Sequence, residues 1–146
     1  MKFSYLKFPG EPSEAFPDKK SSLRPVIPVT FRHEGKSITL HCLMDSGADW
    51  CVFHAELATR LGLELKEGKK QKFYGTAKVE QWAYFHTVEL NIGGWRYECY
   101  CAFSEDLKTP YGLLGQEGFF DKFQVKFDRV KEQIELKQYD HVVFKS

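Results

Sequence analysis

Val26-Ile27-Pro28-Val29-Thr30-Phe31 is a largely apolar run rich in β-forming residues, which predicts a strand. A turn at Gly35 predicts a hairpin that returns as a second strand from Ser37 to Met44, with an apolar run from Ile38 to its end. A second apolar run, Trp50 to Phe53, follows after a short polar break. In residues 54–61, Leu57 and Leu61 stand at helical spacing and Gly62 occupies a C-capping position, which predicts a short helix. Lys66 to Lys72 is polar and basic, and predicts a solvated loop. Two long strand patterns, Val79 to Ile92 and Trp95 to Phe103, flank a Gly93-Gly94 hairpin signal. Leu113-Leu114-Gly115 leads into a second short helix ending near Phe123, and a final hairpin joins Gln124–Phe127 to Gln133–Leu136. The element order predicts an all-β fold with two short helices.

Residues 1–23 have a different texture. Five of the six prolines fall within the first 28 positions, and Pro9-Gly10 and Glu11-Pro12 signal turns or coil. Phe3 and Tyr5 alternate with Ser4, so this N-terminal tail can supply one strand added to a sheet edge. The expected organisation is a tail or added strand over 1–23 and a single domain over 24–146.

Composition narrows the function classes. A chain of 146 residues that is 42% apolar and 16% aromatic can bury a real core. Its formal net charge of +1 argues against nucleic-acid or membrane binding through bulk positive charge. No run is long enough to span a bilayer, and the N-terminus lacks the apolar stretch of a secretory signal, so a cytoplasmic location is expected. Cys42, Cys51, Cys99 and Cys101 form no C-x-x-C pair, and buried free thiols are expected rather than a metal site.

The chemistry concentrates at Asp45-Ser46-Gly47-Ala48, where a buried strand stops at a carboxylate. A small hydroxyl residue and a glycine after it present the acid at a tight turn and let another backbone come close. Two further motifs follow in order, Tyr74-Gly75-Thr76 and Leu113-Leu114-Gly115. On these three motifs the chain, from about Arg24 to Leu136, resembles the retropepsin-like aspartic proteases, the single-lobe relatives of pepsin. The resemblance implies a retropepsin-like single-lobe acid protease fold and hydrolysis of peptide bonds without metal or organic cofactor.

It also implies roles. Asp45 would be the catalytic carboxylate, Ser46 would donate its hydroxyl across a two-fold axis to the partner loop, and Gly47 would let the substrate backbone approach. Ala48 and Asp49 would lie along the substrate, and Tyr74, Gly75, Thr76 and Ala77 would form a flap closing over a bound peptide. The reaction needs two carboxylates, one ionised to take a proton from water and one protonated to polarise the scissile carbonyl. Only one Asp-Ser/Thr-Gly sequence is present. A homodimer with Asp45 beside its two-fold axis supplies the second.

The chain departs from the family in places. Viral members often carry arginine after the third motif's glycine, where this chain has Gln116, and the flap lacks a run of glycines. Ala48 offers no hydroxyl to the carboxylate, so activity nearer neutral pH is expected than in hydroxyl-bearing relatives. Two other readings stay open: a non-catalytic module that binds an extended peptide in the same cleft, and a lobe that docks on a different protein with its own carboxylate.

Overall fold

The structure is a computed structural model that describes residues 1–74 and 78–139. Its central sheet begins with β4 (Val26–His33) and β5 (Lys36–Met44). It continues through β6 (Val52–His54), β7 (Lys69–Tyr74), β8 (Glu80–Ile92), β9 (Trp95–Ser104) and β10 (Gly112–Leu114). The strand order is β4-β5-β10-β6-β9-β8-β7, with β4 also pairing β8. A second sheet joins β1 (Lys2–Ser4), β12 (Gln133–Gln138) and β11 (Phe123–Asp128), and β2 (Leu6–Pro9) pairs with β3 (Ser21–Arg24). The all-β expectation holds.

The β-rich run predicted from the sequence is β4, in which Ile27, Val29 and Phe31 are fully buried while Pro28 faces solvent. Phe31, Phe53 and Phe103 stack successively, with ring centroids 4.7 Å and 5.9 Å apart. These edge and tilted contacts add to what burial alone contributes. At the far end of β8, Gly93 and Gly94 both take positive φ (59° and 90°). That conformation suits the two-residue hairpin linking β8 to β9, whose register runs Ile92↔Trp95 through Tyr84↔Phe103.

The N-terminal segment is tied to the core. Phe3 pairs with Ile134, and the Met1 ammonium donates to the Leu136 carbonyl at 2.9 Å. Met1, Phe3 and Tyr5 pack against the main apolar cluster. All four cysteines are buried and unbridged, as expected.

Two expectations need correction. The predicted loop Lys66 to Lys72 instead holds a 3₁₀ turn, Leu65–Glu67, followed by β7. Its polar sequence is compatible with a strand because β7 is the outermost in the sheet, where lysines blunt an open edge. Among the described residues there is one α-helix, Ala55–Arg60, with Leu57 and Ala58 buried. The second predicted helix is a succession of turns before Phe123. Its opening amides are already engaged, since Gln116 N donates to the Ala48 carbonyl at 2.8 Å and Glu117 N to the Asp49 carbonyl at 2.9 Å. Phe120 N and Asp121 N then reach back five residues, to Gly115 O and Gln116 O, rather than closing α-helical turns. No helix of the described residues is long and apolar enough to cross a membrane.

Candidate active site

The loop that carries Asp45 is held from both sides by strands remote in sequence. β5 runs parallel to β10, with Leu114 opposite Met44, and Asp45 N extends that ladder by donating to the Leu114 carbonyl at 2.9 Å. On the other side Met44 N donates to the Pro25 carbonyl at 3.0 Å, just before β4. The last residue of β5 therefore cannot shift without breaking pairing in two directions.

Beyond Met44 the chain turns sharply. Ala48 N donates to the Asp45 carbonyl at 3.1 Å, and Gly47 N donates to Asp45 Oδ1 at 3.0 Å. The carboxylate is thereby held at the turn, half-buried, with Ser46 and Gly47 exposed beside it. A carboxylate oxygen oriented by a backbone amide is preorganised to accept a proton at its free lone pairs.

Gly115 explains how the loop sits where it does. A Cβ built there would lie 2.3 Å from the Trp50 carbonyl oxygen and 2.7 Å from that of Ala48. Only glycine lets the two segments cross this closely. Its own amide donates to Cys51 Sγ at 3.4 Å. A hydrogen bond with Cys99 and then burial push the Cys51 thiol far above its ordinary range, so it stays protonated and is no nucleophile.

Gln116 takes up a task that the sequence left unassigned. Its side-chain amide donates to the Ser46 carbonyl at 2.7 Å, which ties the crossing segment to the tip of the acid loop. Its residue type makes this possible, but the contact spans 70 positions and no local pattern announces it.

Arg24 is a second residue that sequence reasoning missed. Its Nη1 donates to the Tyr111 hydroxyl at 2.6 Å, and its guanidinium lies 5.2 Å from the Phe8 ring centre and 5.8 Å from that of Tyr111. Through Pro25 it flanks the strand end that carries Asp45, and it links β2, β3 and the segment before β10.

The β7–β8 hairpin meets the chain leaving the acid loop at Trp50. Gly75, Thr76 and Ala77, expected in the flap, lie outside the described residues. Tyr74 ends β7 opposite Glu80 and is 65% exposed. Strand alternation puts it on the outer face with Lys70 and Lys72, whereas Phe73 shares the inner face with Ala83 and Phe85. That inner face joins a small apolar cluster with Val52, Ala102 and Trp50, the residue that leaves the acid loop. Trp50 meets Phe85 edge-on at 5.4 Å. Of the residues singled out from sequence, Asp45 through Asp49 thus form one braced turn. Among the described residues no hydrogen bond joins Tyr74 to that turn.

A retropepsin-like aspartic protease from Rickettsia conorii superimposes with a TM-score of 0.54 at 17% identity, covering 90% of this chain and 98% of that one. EIAV protease, solved with the inhibitor HBY-793, aligns at 21% identity over 64% of this chain and 82% of that one, with a TM-score of 0.49. Simian foamy virus (mac) protease gives 16% identity over 62% and 86%, and a TM-score of 0.40. No curated protein matches the sequence. The sequence profile described as aspartyl protease matches residues 27–117, from the start of β4 through the acid loop to the segment that crosses it. That match takes in most of the chain and every strand around Asp45: the chain belongs to the aspartyl protease family, with a retropepsin-like single-lobe fold.

Proposed function

We propose that this chain is an aspartic endopeptidase that acts as a homodimer, with Asp45 of each protomer facing its copy across a two-fold axis. The observation that carries the reading is the single carboxylate at an exposed turn, locked by Leu114, Gly115 and Gln116, on a chain of this family. Two such carboxylates brought close share one proton, because both cannot ionise together. The ionised one takes a proton from the attacking water, and the protonated one donates toward the carbonyl oxygen of the scissile bond. Collapse of the tetrahedral intermediate then returns a proton to the leaving amine.

In this reading the Ser46 hydroxyl braces the partner's loop, and Gly47, Ala48 and Asp49 run beside the substrate backbone. The β7–β8 hairpin forms the lid, with Tyr74 and residues 75–77 at its end and Phe73 facing inward. Substrates are extended peptides or unfolded proteins. Residues 24–146 form the protease domain, and residues 1–23 are a tail that adds strands to it.

A dyad split between two chains makes activity depend on association. Specific activity against an unfolded protein, measured from pH 3 to 8 at rising enzyme concentration, should climb with the dimer fraction seen by sedimentation. A strict monomer that cleaves with constant specific activity would sink the dimeric dyad. A strict monomer without activity would favour the peptide-binding module.

Two substitutions probe the loop. Gln116→Ala removes the bond to the Ser46 carbonyl. Since exposed hydrogen bonds contribute about 1 kcal/mol or less to stability, kcat should fall severalfold while the unfolding midpoint barely moves. An unchanged kcat would show that the brace does not matter. Ala48→Ser places a hydroxyl where it can donate to the carboxylate, and a bond to the charged form favours that form. The acid limb of the pH–rate profile should then move to lower pH; movement upward would contradict the argument.

A further inference from the structure

The outer face of the β7–β8 hairpin is built unlike the rest of the surface. Lys70 Nζ and Lys72 Nζ both sit over the ring of Trp82, 4.5 Å and 5.3 Å from its centre. The indole is 36% exposed, and Tyr74 on the same face of the hairpin is 65% exposed. An indole face attracts cations, but two ammonium groups gathered on one ring repel each other. A single carboxylate answers them, Glu80, 3.4 Å from Lys72. Among the described residues Lys70 has no carboxylate within ion-pair distance. The strand that bears both lysines is the outermost of its sheet, so one row of its backbone groups is open to a further strand. Lysine on an open edge discourages unwanted pairing. That role does not require the lysines to converge on an exposed tryptophan.

We infer that this face and edge form a docking site for an acidic, extended segment of the protein substrate, on the side of the hairpin opposite Phe73 rather than at the Asp45 turn. The word substrate rests on the peptidase reading; the binding site does not. A strand added beside β7 would use the open backbone groups for affinity and alternate side chains for selection. Lys70 and Lys72 are two residues apart on one face, so glutamate or aspartate at every second position of the incoming segment meets both. The Trp82 and Tyr74 rings offer apolar surface to the carbon stems between those charges. The remainder of the chain adds little for a long polyanion, since its formal net charge is only +1. A short acidic segment fits where a nucleic-acid backbone does not.

The test uses the full chain carrying Asp45→Asn, so that binding is read without cleavage. A fluorescein-labelled peptide alternating glutamate and threonine should bind by anisotropy, and more weakly as salt rises. Lys70→Glu with Lys72→Glu should raise Kd about tenfold or more, because each reversal replaces an attraction by a repulsion. Lys126→Glu with Lys131→Glu changes net charge equally on another hairpin and should leave Kd within about twofold. Equal weakening by both pairs, or no weakening by the first, overturns the site. Binding of oligothymidylate as tightly as the acidic peptide overturns it too. In the active chain, substrates carrying the acidic segment should show a lower KM, and the Lys70/Lys72 pair should abolish the difference. Intact binding with no cleavage in any condition would remove the peptidase reading and leave the docking site standing.

Discussion

Asp45→Asn is expected to lower kcat/KM for an unfolded protein substrate by about a thousandfold or more, since it removes the group that takes the proton from water. The fold should survive. The asparagine carbonyl oxygen can still accept the Gly47 amide that now donates to Asp45 Oδ1 at 3.0 Å, so the turn keeps its internal bond. Melting should therefore shift by no more than about 2 °C, which separates a chemical loss from a structural one. A mixing experiment reaches further. When equal amounts of wild-type and variant chains exchange freely, only about a quarter of the dimers carry two Asp45 carboxylates. Activity should then settle at about a quarter of that of pure wild type at the same total chain concentration. Settling at half would mean that each chain works alone, and cleavage that persists in the pure variant would remove Asp45 from the mechanism.

Gly115→Ala should do the most harm to the fold around the site. The new methyl would press on the Trp50 carbonyl at 2.3 Å and the Ala48 carbonyl at 2.7 Å, both main-chain atoms that no rotamer change can move aside. Overpacking against backbone in a fully buried crossing costs about 3 kcal/mol, equivalent to a fall in melting temperature of roughly 10 °C in a chain of this size. The strain falls on the segment that holds Asp45, so activity should drop further than the lost stability explains. Thermal unfolding and kcat measured well below the melting point separate the two effects. If the variant melts with the wild type, the crossing is looser than its geometry indicates.

How much of this was written locally varies from element to element. The β4 strand was legible because a run of β-branched and aromatic residues favours extended backbone whatever its neighbours, and its buried face, Ile27, Val29 and Phe31, came only with the structure. The β8–β9 hairpin was legible because consecutive glycines accept a backbone twist that other residues resist. β7 was not: Lys69-Lys70-Gln71-Lys72 has no apolar alternation, and it is a strand because β8 offers an edge to pair with. The turns after Gly115 were misread as a helix for the opposite reason. A stretch with helical character closes five-residue turns at Phe120 and Asp121 in place of α-helical ones, while Gln116 and Glu117 pair with carbonyls of the acid loop nearly 70 positions earlier.

The acid and its turn could be read from four consecutive residues, because a tight turn with a carboxylate at its head is a local property of backbone and side-chain types. The surroundings that make it a site could not. The Gln116 amide on Ser46, the Arg24 guanidinium between Phe8 and Tyr111, and the Trp50–Phe85 contact all join residues dozens of positions apart. Such contacts exist only once the sheet has set its strand order. Along the chain, hydrophobic period and turn chemistry specify which segments extend and where they reverse; strand pairing and steric fit specify which of them meet. That is why Asp45 was visible in the linear chain, while Gly115 beneath it showed its purpose only when two distant carbonyls were found resting against it.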